Sequence, residues 1–323
     1  MDGDLRVLKP GPVLSLALAG SMLLASTAMA RPSTPTPTPT PTPTLTPARP
    51  TATPTPVPTS KPTLTPTPPT LSPTPVPTPP TSALAPAATP SAEGIVGTQV
   101  IGYSAQGRAL TVYQLGAGSR SILVVGGIDG GTESNTTALV DQLLVQLPAA
   151  PDLLHAGFVL LLLPAINPDG LATGTRMLAD GVDANRNWPT GDWTTDTYVA
   201  GPTLIRGGGG PYPWSEPETQ ALAAYVERVQ PRLIVSYHSA AALVMAGPAA
   251  RTLGLDRLYA SITGYAFGDW VAYPVTGDFA QWTEDQGIPT VEVELPDHTT
   301  TDFDANFSAF HALIAAMRTL FPP

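Results

Sequence analysis

The 323-residue sequence contains no cysteine, and no lysine occurs after Lys61. Without cysteine, an exported domain has to rely on its hydrophobic core or on a bound metal, because disulfides cannot form. From Ser91 onward ten arginines face 23 acidic residues, which gives a formal charge of 10 − 23 = −13. A surface this acidic argues against nucleic acid and against anionic membrane as partners.

The sequence also lacks an apolar run of comfortable membrane-spanning length. Its N-terminal run, Val13–Ala25, is shorter than the roughly 20 residues that a span needs. Arg6 and Lys9 precede this run, and Ala28–Ala30 supplies the small residues that a signal peptidase requires. We therefore predict a secretory signal over residues 1–30 and a secreted protein with no span after cleavage; an uncleaved anchor is the alternative.

Residues 31–92 have almost nothing to bury. Between Pro32 and Pro90 lie 22 of the 40 prolines of the chain, mixed mainly with Thr, Ser and Ala. This composition predicts a disordered, polyproline-like linker that reaches on the order of 180 Å when fully extended and could associate the protein with a cell wall. Residues 93–323 remain as one folded domain.

The domain alternates buried strands with helices. Ser121–Ile128 and Phe158–Ile166 are continuous apolar runs, and the segment between them has helical spacing, with Leu139, Leu143, Leu144 and Leu147 on one stripe. The chain before Ser121 predicts an edge hairpin, and Ser215 with Glu218 predicts a capping box. We therefore expect an α/β fold, a three-layer α/β/α domain with a mixed, mostly parallel sheet. The stretch from Asn167 to Pro213 shows no clear element and predicts a functional loop region.

Polar residues follow the predicted strands at one rim of this sheet, where α/β proteins bind ligands. They are Asp129, Glu133, Asn167, Asp169, His238 and Glu294. Asp129, Glu133 and His238 are residue types that bind a divalent metal, and three such ligands with one open position form a catalytic zinc site. Alternatively, the two acids of the bend GGIDGGTES cap the helix that follows.

Five segments together resemble the zinc carboxypeptidases of the carboxypeptidase A type. These segments are NPDG with GTR, then GVDANRNW, SYHS, YPVTGDFAQW and TVEVELP. The resemblance as a whole covers roughly Ile101 to Pro296, nearly the whole domain. The resemblance implies the carboxypeptidase fold, one zinc ion bound by Asp129, Glu133 and His238, and a peptide substrate with a free C-terminus. It further implies that Glu294 is the general base, with Glu292 as its rival, and that Arg176 stabilises the oxyanion.

The resemblance assigns the terminal carboxylate of the substrate to Asn185 and Arg186, with Tyr273 closing over it. A guanidinium suits this role because it forms two parallel hydrogen bonds to a carboxylate. A salt bridge from Arg186 to Asp183 is the alternative. The floor of the side-chain pocket falls on Ala280, which favours apolar C-terminal residues, although Asp278 lies nearby.

The sequence departs from the family at the first metal ligand. A histidine is expected where Asp129 stands, and the interval to Glu133 is one residue longer. Two carboxylates and one imidazole carry a charge of −2, whereas the two imidazoles and one carboxylate expected of the family carry −1. The more negative ligand set makes metal-bound water less acidic and shifts the metal preference toward manganese or iron. His155 and His298 are candidate substitutes.

The main hypothesis is accordingly a secreted metallocarboxypeptidase, acting on peptides that include those of the cell wall. The second is a catalytically weak or inactive module that binds peptide C-termini at the cell surface. The third, an amidase or deacylase, is disfavoured because the Asn185–Arg186 clamp has no use without a terminal carboxylate.

Overall fold

A computed structural model describes residues 95–154 and 157–322. The predicted signal peptide, the predicted linker and His155 lie outside the described residues. The described residues form ten strands in chain order: β1 (Ile95–Tyr103), β2 (Ala109–Leu115), β3 (Arg120–Val125), β4 (Phe158–Leu163), β5 (Thr197–Tyr198), β6 (Leu204–Ile205), β7 (Leu233–Ser239), β8 (Leu243–Ala246), β9 (Ala266–Phe267) and β10 (Thr290–Leu295).

Eight α-helices lie in the same described ranges: α1 (Ser134–Gln146), α2 (Pro151–Leu154), α3 (Pro168–Thr173), α4 (Pro217–Val229), α5 (Pro248–Thr252), α6 (Leu255–Thr263), α7 (Phe279–Asp285) and α8 (Phe303–Leu320). Short 3-10 turns occupy Gly130–Glu133, Leu147–Ala149 and Ala184–Arg186. Within the described residues, no helix is both long and apolar enough to cross a membrane.

The main sheet has eight strands in the order β1-β2-β4-β3-β7-β10-β8-β9. The central strands β4, β3, β7 and β10 are parallel, whereas β1, β2 and β8 join through antiparallel pairs. The mixed, mostly parallel sheet and the edge hairpin β1–β2 are thus confirmed. Because β3, β7 and β10 are neighbours, their carboxyl ends present side chains to the same space.

Each face of the sheet is covered by helices, as the three-layer prediction requires. One buried cluster joins the sheet to α1, α6 and α8, and includes the predicted stripe of Leu139, Leu143, Leu144 and Leu147. The other cluster joins the opposite face to α4 and α7. Strand β3 contributes side chains to both clusters, since Val124 belongs to the first cluster and Val125 to the second.

The predicted capping box at the start of α4 is wrong. Glu216, not Ser215, is the N-cap residue, and it makes no side-chain cap bond. The Ser215 hydroxyl instead donates to Glu216 Oε1 at 2.5 Å, and Glu218 Oε1 accepts from the Ala105 amide at 2.9 Å. The Ser215 hydroxyl also accepts from the Asn187 side-chain amide at 3.0 Å, so tertiary contacts hold both side chains of the motif and override the local pattern.

The stretch from Asn167 to Pro213 is more ordered than predicted, because it contains α3, one 3-10 turn and the ribbon β5–β6. The Asn167 side chain caps α3 by accepting from the Gly170 amide at 2.7 Å, Pro168 fills the first turn, and Gly174 ends the helix in a left-handed conformation. This start and stop pattern was readable from the sequence.

Candidate active site

The bend after β3 is built from glycines because the backbone passes too close to its neighbours for side chains. A Cβ atom at Gly131 would lie 2.4 Å from Gly174 Cα, and Gly127 has φ +59° with Thr137 Oγ1 2.4 Å from its missing Cβ. This packing turns the chain sharply between β3 and α1. It places Asp129 and Glu133 at the carboxyl end of the sheet.

Asp129 and Glu133 meet His238, which lies near the end of β7, in a buried cluster. Their candidate ligand atoms all lie within 4.8 Å of one another. His238 Nδ1 is 3.1 Å from Asp129 Oδ2 and 3.6 Å from Glu133 Oε2. Asp129 is the N-cap residue of the following 3-10 turn and Glu133 that of α1, as the helix-cap alternative expects, but neither makes a side-chain capping hydrogen bond.

Arg176 sits against both carboxylates. Its Nη1 lies 2.8 Å from Asp129 Oδ2 and 3.2 Å from Glu133 Oε1, and its Nε lies 2.8 Å from Asp183 Oδ2. The Asn167 amide donates to the Arg176 carbonyl oxygen at 2.8 Å, which holds the backbone of this residue. Asp183 therefore pairs with Arg176, and the alternative in which it pairs with Arg186 is wrong.

The charges in this cluster are strongly coupled. Burial raises the pKa of Asp129, but the charges of Arg176 and His238 outweigh it and hold that pKa well below its ordinary value. Burial lowers the pKa of His238, but the hydrogen bonds with Asp129 and Glu133 raise it well above its ordinary value. Only the neutral imidazole binds a metal ion, so a shift in this direction makes metal binding at His238 compete with a proton.

The residues present fit a divalent metal. Asp129 Oδ1 is buried and has no hydrogen-bond partner among the described residues, as expected of an oxygen that a metal ion would satisfy. Two carboxylates and one imidazole form a donor set that zinc accepts. Arg176 offsets part of the extra negative charge that Asp129 brings.

Two glutamates of β10 line the same cavity. Glu294 pairs in register with His238 across the parallel strands β10 and β7, is 9% exposed, and has a buried Oε2 without a hydrogen-bond partner among the described residues. Burial is the main cause that raises its pKa to about 7. Glu292 lies two residues earlier, 3.6 Å from the far ring nitrogen of His238, and burial followed by the charge of Asp278 raises its pKa to about 8.

The loop that resembles the substrate loop brings Asn185 and Arg186 into the cavity. Three N–H groups of Arg186 donate to the carbonyl oxygens of Asn185, Tyr198 and Val199, so two of its five remain for a ligand. Asn185 Oδ1 accepts from the Phe279 amide at 2.9 Å. Tyr273 also lines the cavity, and its hydroxyl lies 3.4 Å from the Val199 carbonyl oxygen.

The next two residues of the same motif anchor this loop. Asn187 is fully buried and donates to the carbonyl oxygens of Gly209 and Tyr212, while its Oδ1 accepts from Thr219 Oγ1. Trp188 is also fully buried, and its ring stacks on Trp282 with centroids 4.8 Å apart. Asn187 and Trp188 therefore anchor the loop that carries Arg186 in the core of the domain.

The cavity itself has a volume of about 420 Å³. Its lining contains all eight predicted site residues, namely Asp129, Glu133, Arg176, Asn185, Arg186, His238, Tyr273 and Glu294. Sequence motifs separated by more than a hundred residues thus line the same cavity. The roles assigned to the individual residues remain predictions.

The comparisons with known proteins agree with this geometry. The zinc carboxypeptidase family model, peptidase M14, matches residues 87–253. The chain belongs to this family. Members of the family are zinc-dependent peptidases, and this zinc carboxypeptidase homologue carries Asp129 at the position of the expected first histidine ligand.

Characterised relatives include murein peptide amidases. Murein peptide amidase A of Escherichia coli strain K12 is 32% identical over 212 residues, which cover 62% of this chain and 81% of that protein. The protein of the same name from Vibrio campbellii is 30% identical over 212 residues, covering 62% and 79%.

Solved structures place the fold in the same family. The crystal structure of murein-tripeptide amidase from E. coli O157 is 26% identical, with a TM-score of 0.55 and coverage of 71% of this chain and 96% of that one. Carboxypeptidase A from Helicoverpa armigera is 16% identical, with a TM-score of 0.59 and coverage of 72% and 71%. The predicted fold class is confirmed.

Some residues predicted at the rim do not reach the metal cluster of this zinc carboxypeptidase homologue. Asp169 is bound instead by the turn between β1 and β2, where Ser104 Oγ donates to it at 2.6 Å and Arg108 pairs with it. His298 Nδ1 lies 2.9 Å from Ser239 Oγ, and the Ser239 amide donates to Glu133 Oε2 at 2.8 Å. His298 is therefore linked to the candidate ligand Glu133 through Ser239, and it does not belong to the candidate ligand cluster of Asp129, Glu133 and His238 found among the described residues.

Proposed function

We propose that the chain is a secreted, metal-dependent peptidase that hydrolyses the bond to the C-terminal residue of peptides, with murein peptides as its substrate class. The observation that carries this proposal is the buried cluster of Asp129, Glu133 and His238 beside Glu294 in one cavity. The murein peptide amidases among the relatives support the substrate class. Secretion is supported by the signal-like residues 1–30 alone.

Asp129 Oδ1, Glu133 and His238 Nδ1 would hold the ion. When bound, zinc supplies a Lewis acid that polarises a substrate carbonyl and lowers the pKa of a water molecule. Glu294 would take the proton from the attacking water and deliver it to the leaving amine. A carboxyl with a pKa of about 7 suits both transfers near neutral pH.

Arg176 and Arg186 would have separate roles in the reaction. Arg176 has a pKa raised above its ordinary value because the nearby carboxylates outweigh its burial, so it is a permanent cation beside the reacting group. Such a fixed charge stabilises the negative charge of the transition state. Arg186, with two free N–H groups at the cavity, would bind the C-terminal carboxylate.

A second candidate function is peptide binding without catalysis. It is favoured by the pairing of Arg176 with both acids, because this arginine already neutralises part of the charge that would attract a metal. In that case the cavity would still recognise peptide C-termini through Arg186.

The two candidate functions are distinguished by measuring metal content and hydrolysis of a blocked dipeptide on one preparation. We expect about one divalent ion per chain and activity that a chelator abolishes and zinc restores. A chain that binds no metal and is inactive, but gains activity through Asp129→His, would leave only the binding function. A peptide acid and its amide, compared as ligands, test Arg186, since equal binding would refute its proposed role.

A further inference from the structure

A second cavity lies at the opposite end of the sheet from the candidate active site. It has a volume of about 350 Å³ and is formed beside the start of β3, the C-terminal end of α4 and the chain just before β7. This distal cavity shares no lining residue with the active-site cavity. Strand β3, which has six residues, runs between the two, so they are roughly 17 Å apart at about 3.3 Å per residue.

The distal cavity is polar, and the charges in its lining are positive. Its hydrogen-bonding side chains include Gln114, Ser119, Arg120, Ser121, Tyr225 and Arg232. The part of the lining that the structure describes contains neither aspartate nor glutamate. The domain as a whole carries 23 acidic residues against ten arginines, so this cavity differs in charge from the rest of the molecule. Two arginines without a neighbouring acid favour an anion as the ligand.

The sheet presents polar groups to this cavity where its helix-covered face would otherwise continue apolar. On β2, Val112 packs in the core beneath α4, and Gln114 is the next residue on the same face. On β3, Leu123 lies in that core, and Ser121 precedes it by two residues on the same face. Neither the Gln114 amide nor the Ser121 hydroxyl makes a side-chain hydrogen bond among the described residues. Both groups are therefore available to a ligand.

Arg232 and Tyr225 also leave their polar groups free. Arg232 is exposed, and its guanidinium makes no hydrogen bond or ion pair within the described part of the chain. Tyr225 is only 4% exposed because its ring packs in the core, but its hydroxyl has no hydrogen-bond partner there either. Arg228 stacks on this ring, with its guanidinium carbon 5.1 Å from the ring centroid, and adds a third cation beside the cavity. A ligand could bond to both free groups without displacing a protein partner.

Arg120 is the more buried of the two lining arginines. Its guanidinium lies over the Phe158 ring at 4.8 Å and donates through Nη1 to the carbonyl oxygens of Phe321 and Pro322. These contacts fix the position of the charge. Its Nε is buried and has no hydrogen-bond partner among the described residues, although buried polar atoms normally have one. An oxygen atom of a ligand in the cavity would supply that partner.

We propose that the distal cavity binds an anionic sugar, that is, a sugar unit that carries a carboxylate or a phosphate group. Arg120 and Arg232 would bind the acidic group, because guanidinium groups form paired hydrogen bonds with carboxylates and phosphates. Gln114, Ser121 and Tyr225 would bind the ring hydroxyls, since amides and hydroxyls both donate and accept. A volume of about 350 Å³ lies within the range of small-molecule sites and exceeds the space that an inorganic anion fills.

Nuclear magnetic resonance titrations of the chelator-treated protein with four ligands test the site. The ligands are glucuronate, glucose 6-phosphate, glucose and inorganic phosphate. We expect at least one of the two acidic sugars to bind about tenfold more tightly than both glucose and inorganic phosphate, because only the acidic sugars engage the arginines and the hydroxyl-binding groups together. The signals that shift should include the backbone amides of Ser119, Ser121 and Arg232.

The four ligands also identify the acidic group, since the tighter of the two acidic sugars shows whether the site prefers a carboxylate or a phosphate. Inorganic phosphate that binds as tightly as glucose 6-phosphate would reduce the cavity to a simple anion site and overturn the proposal. Glucose that binds as tightly as glucuronate would remove the role of the arginines. Shifts confined to the active-site cavity, or no binding of any ligand, would also refute the site.

Variants locate the binding. Arg232→Gln removes a charge whose side chain has no protein partner, and it should weaken binding of the acidic sugar by about tenfold. Tyr225→Phe keeps the ring in the core and should weaken the same binding by about threefold. The matched control is Arg206→Gln, which removes the same charge from an exposed arginine that lines neither cavity. Equal losses in Arg232→Gln and Arg206→Gln would show a general charge effect and refute the assignment.

Binding at the distal cavity does not depend on the proposed peptidase function. Hydrolysis of a blocked dipeptide by Arg232→Gln should therefore stay within about twofold of the parent, because the two cavities share no lining residue. A parent chain that hydrolyses no peptide but binds the acidic sugar would support the distal site while the peptidase function fails. Sugar binding and hydrolysis that are lost together in Arg232→Gln would contradict a separate site.

Discussion

Replacing Glu294 by glutamine tests the centre of the proposed chemistry with little change of shape. The substituted amide cannot accept the proton of the attacking water. Losing a general base typically costs 10²- to 10⁴-fold in rate, which corresponds to about 3 to 5 kcal/mol of activation free energy. We expect kcat to fall within this range while zinc content and KM change little.

The same substitution should raise the stability of the metal-free protein at alkaline pH. Burial, together with the charges of Glu133 and Asp129, raises the pKa of Glu294 from its ordinary 4.5 to about 7. The unfolded chain therefore loses this proton at lower pH than the folded chain does, so the parent loses stability as pH rises from about 4.5 to 7. This difference in pKa between the folded and the unfolded chain corresponds to a loss of about 3 kcal/mol in the free energy of unfolding, and the glutamine variant does not suffer this loss.

The assay is steady-state hydrolysis of a blocked dipeptide ending in leucine, combined with denaturant unfolding of chelator-treated protein at pH 5 and pH 8. The matched control is Glu292→Gln on the same strand, whose loss of kcat with this substrate should be the smaller. If Glu294→Gln retains activity within tenfold of the parent, Glu294 is not the base. A stability gain that is equal at pH 5 and pH 8 would contradict the buried, neutral carboxyl.

Three further outcomes are expected. Zinc at about 100 times its Kd should stabilise the folded chain by about 2.7 kcal/mol in thermal scans, and this Kd should fall as pH rises because the metal competes with a proton at His238. Asp129→Ala should abolish this gain in stability. A parent chain whose stability does not respond to zinc would exclude the metal site. Glu216→Gln should stabilise the protein increasingly as pH rises from 4.5 to 7, since burial is the main cause that raises the pKa of this glutamate to about 7, and a flat difference in chemical unfolding would show that it ionises normally. Trp188→Ala should cost about 3 to 5 kcal/mol in the free energy of unfolding, and a cost below 1 kcal/mol would show that the loop does not depend on the core.

Periodicity and strand ends were enough to predict the sheet, its mixed pairing and the position of the site. The continuous apolar runs of β3 and β4 could only be buried strands, and the parallel arrangement forced the acids of the bend toward His238. The family resemblance supplied the roles that residue types alone left open. The short strands β8 and β9, the last two on one side of the sheet, carry too few residues to show a period.

Contacts that depend on how loops and separate elements fold against one another were not readable from the sequence. The pairing of Asp183 with Arg176 depends on how the substrate loop folds back, and seven positions separate the two residues along the chain. The pattern around Ser215 favours a capping box, but Asn187 donates to the Ser215 hydroxyl from 28 residues away. The family resemblance places Ala280 in the side-chain pocket, and Glu292 lines the same cavity from a different element, β10.

The three candidate metal ligands lie on two segments, and 105 residues separate Glu133 from His238 in the sequence. They become neighbours only because β7 hydrogen-bonds to β3, and Glu294 joins them only when β10 has added to β7. A chain that is still being synthesised has no assembled centre until the residues of β10 have been added. Any hydrolytic activity of this protein therefore begins only when the sheet is complete.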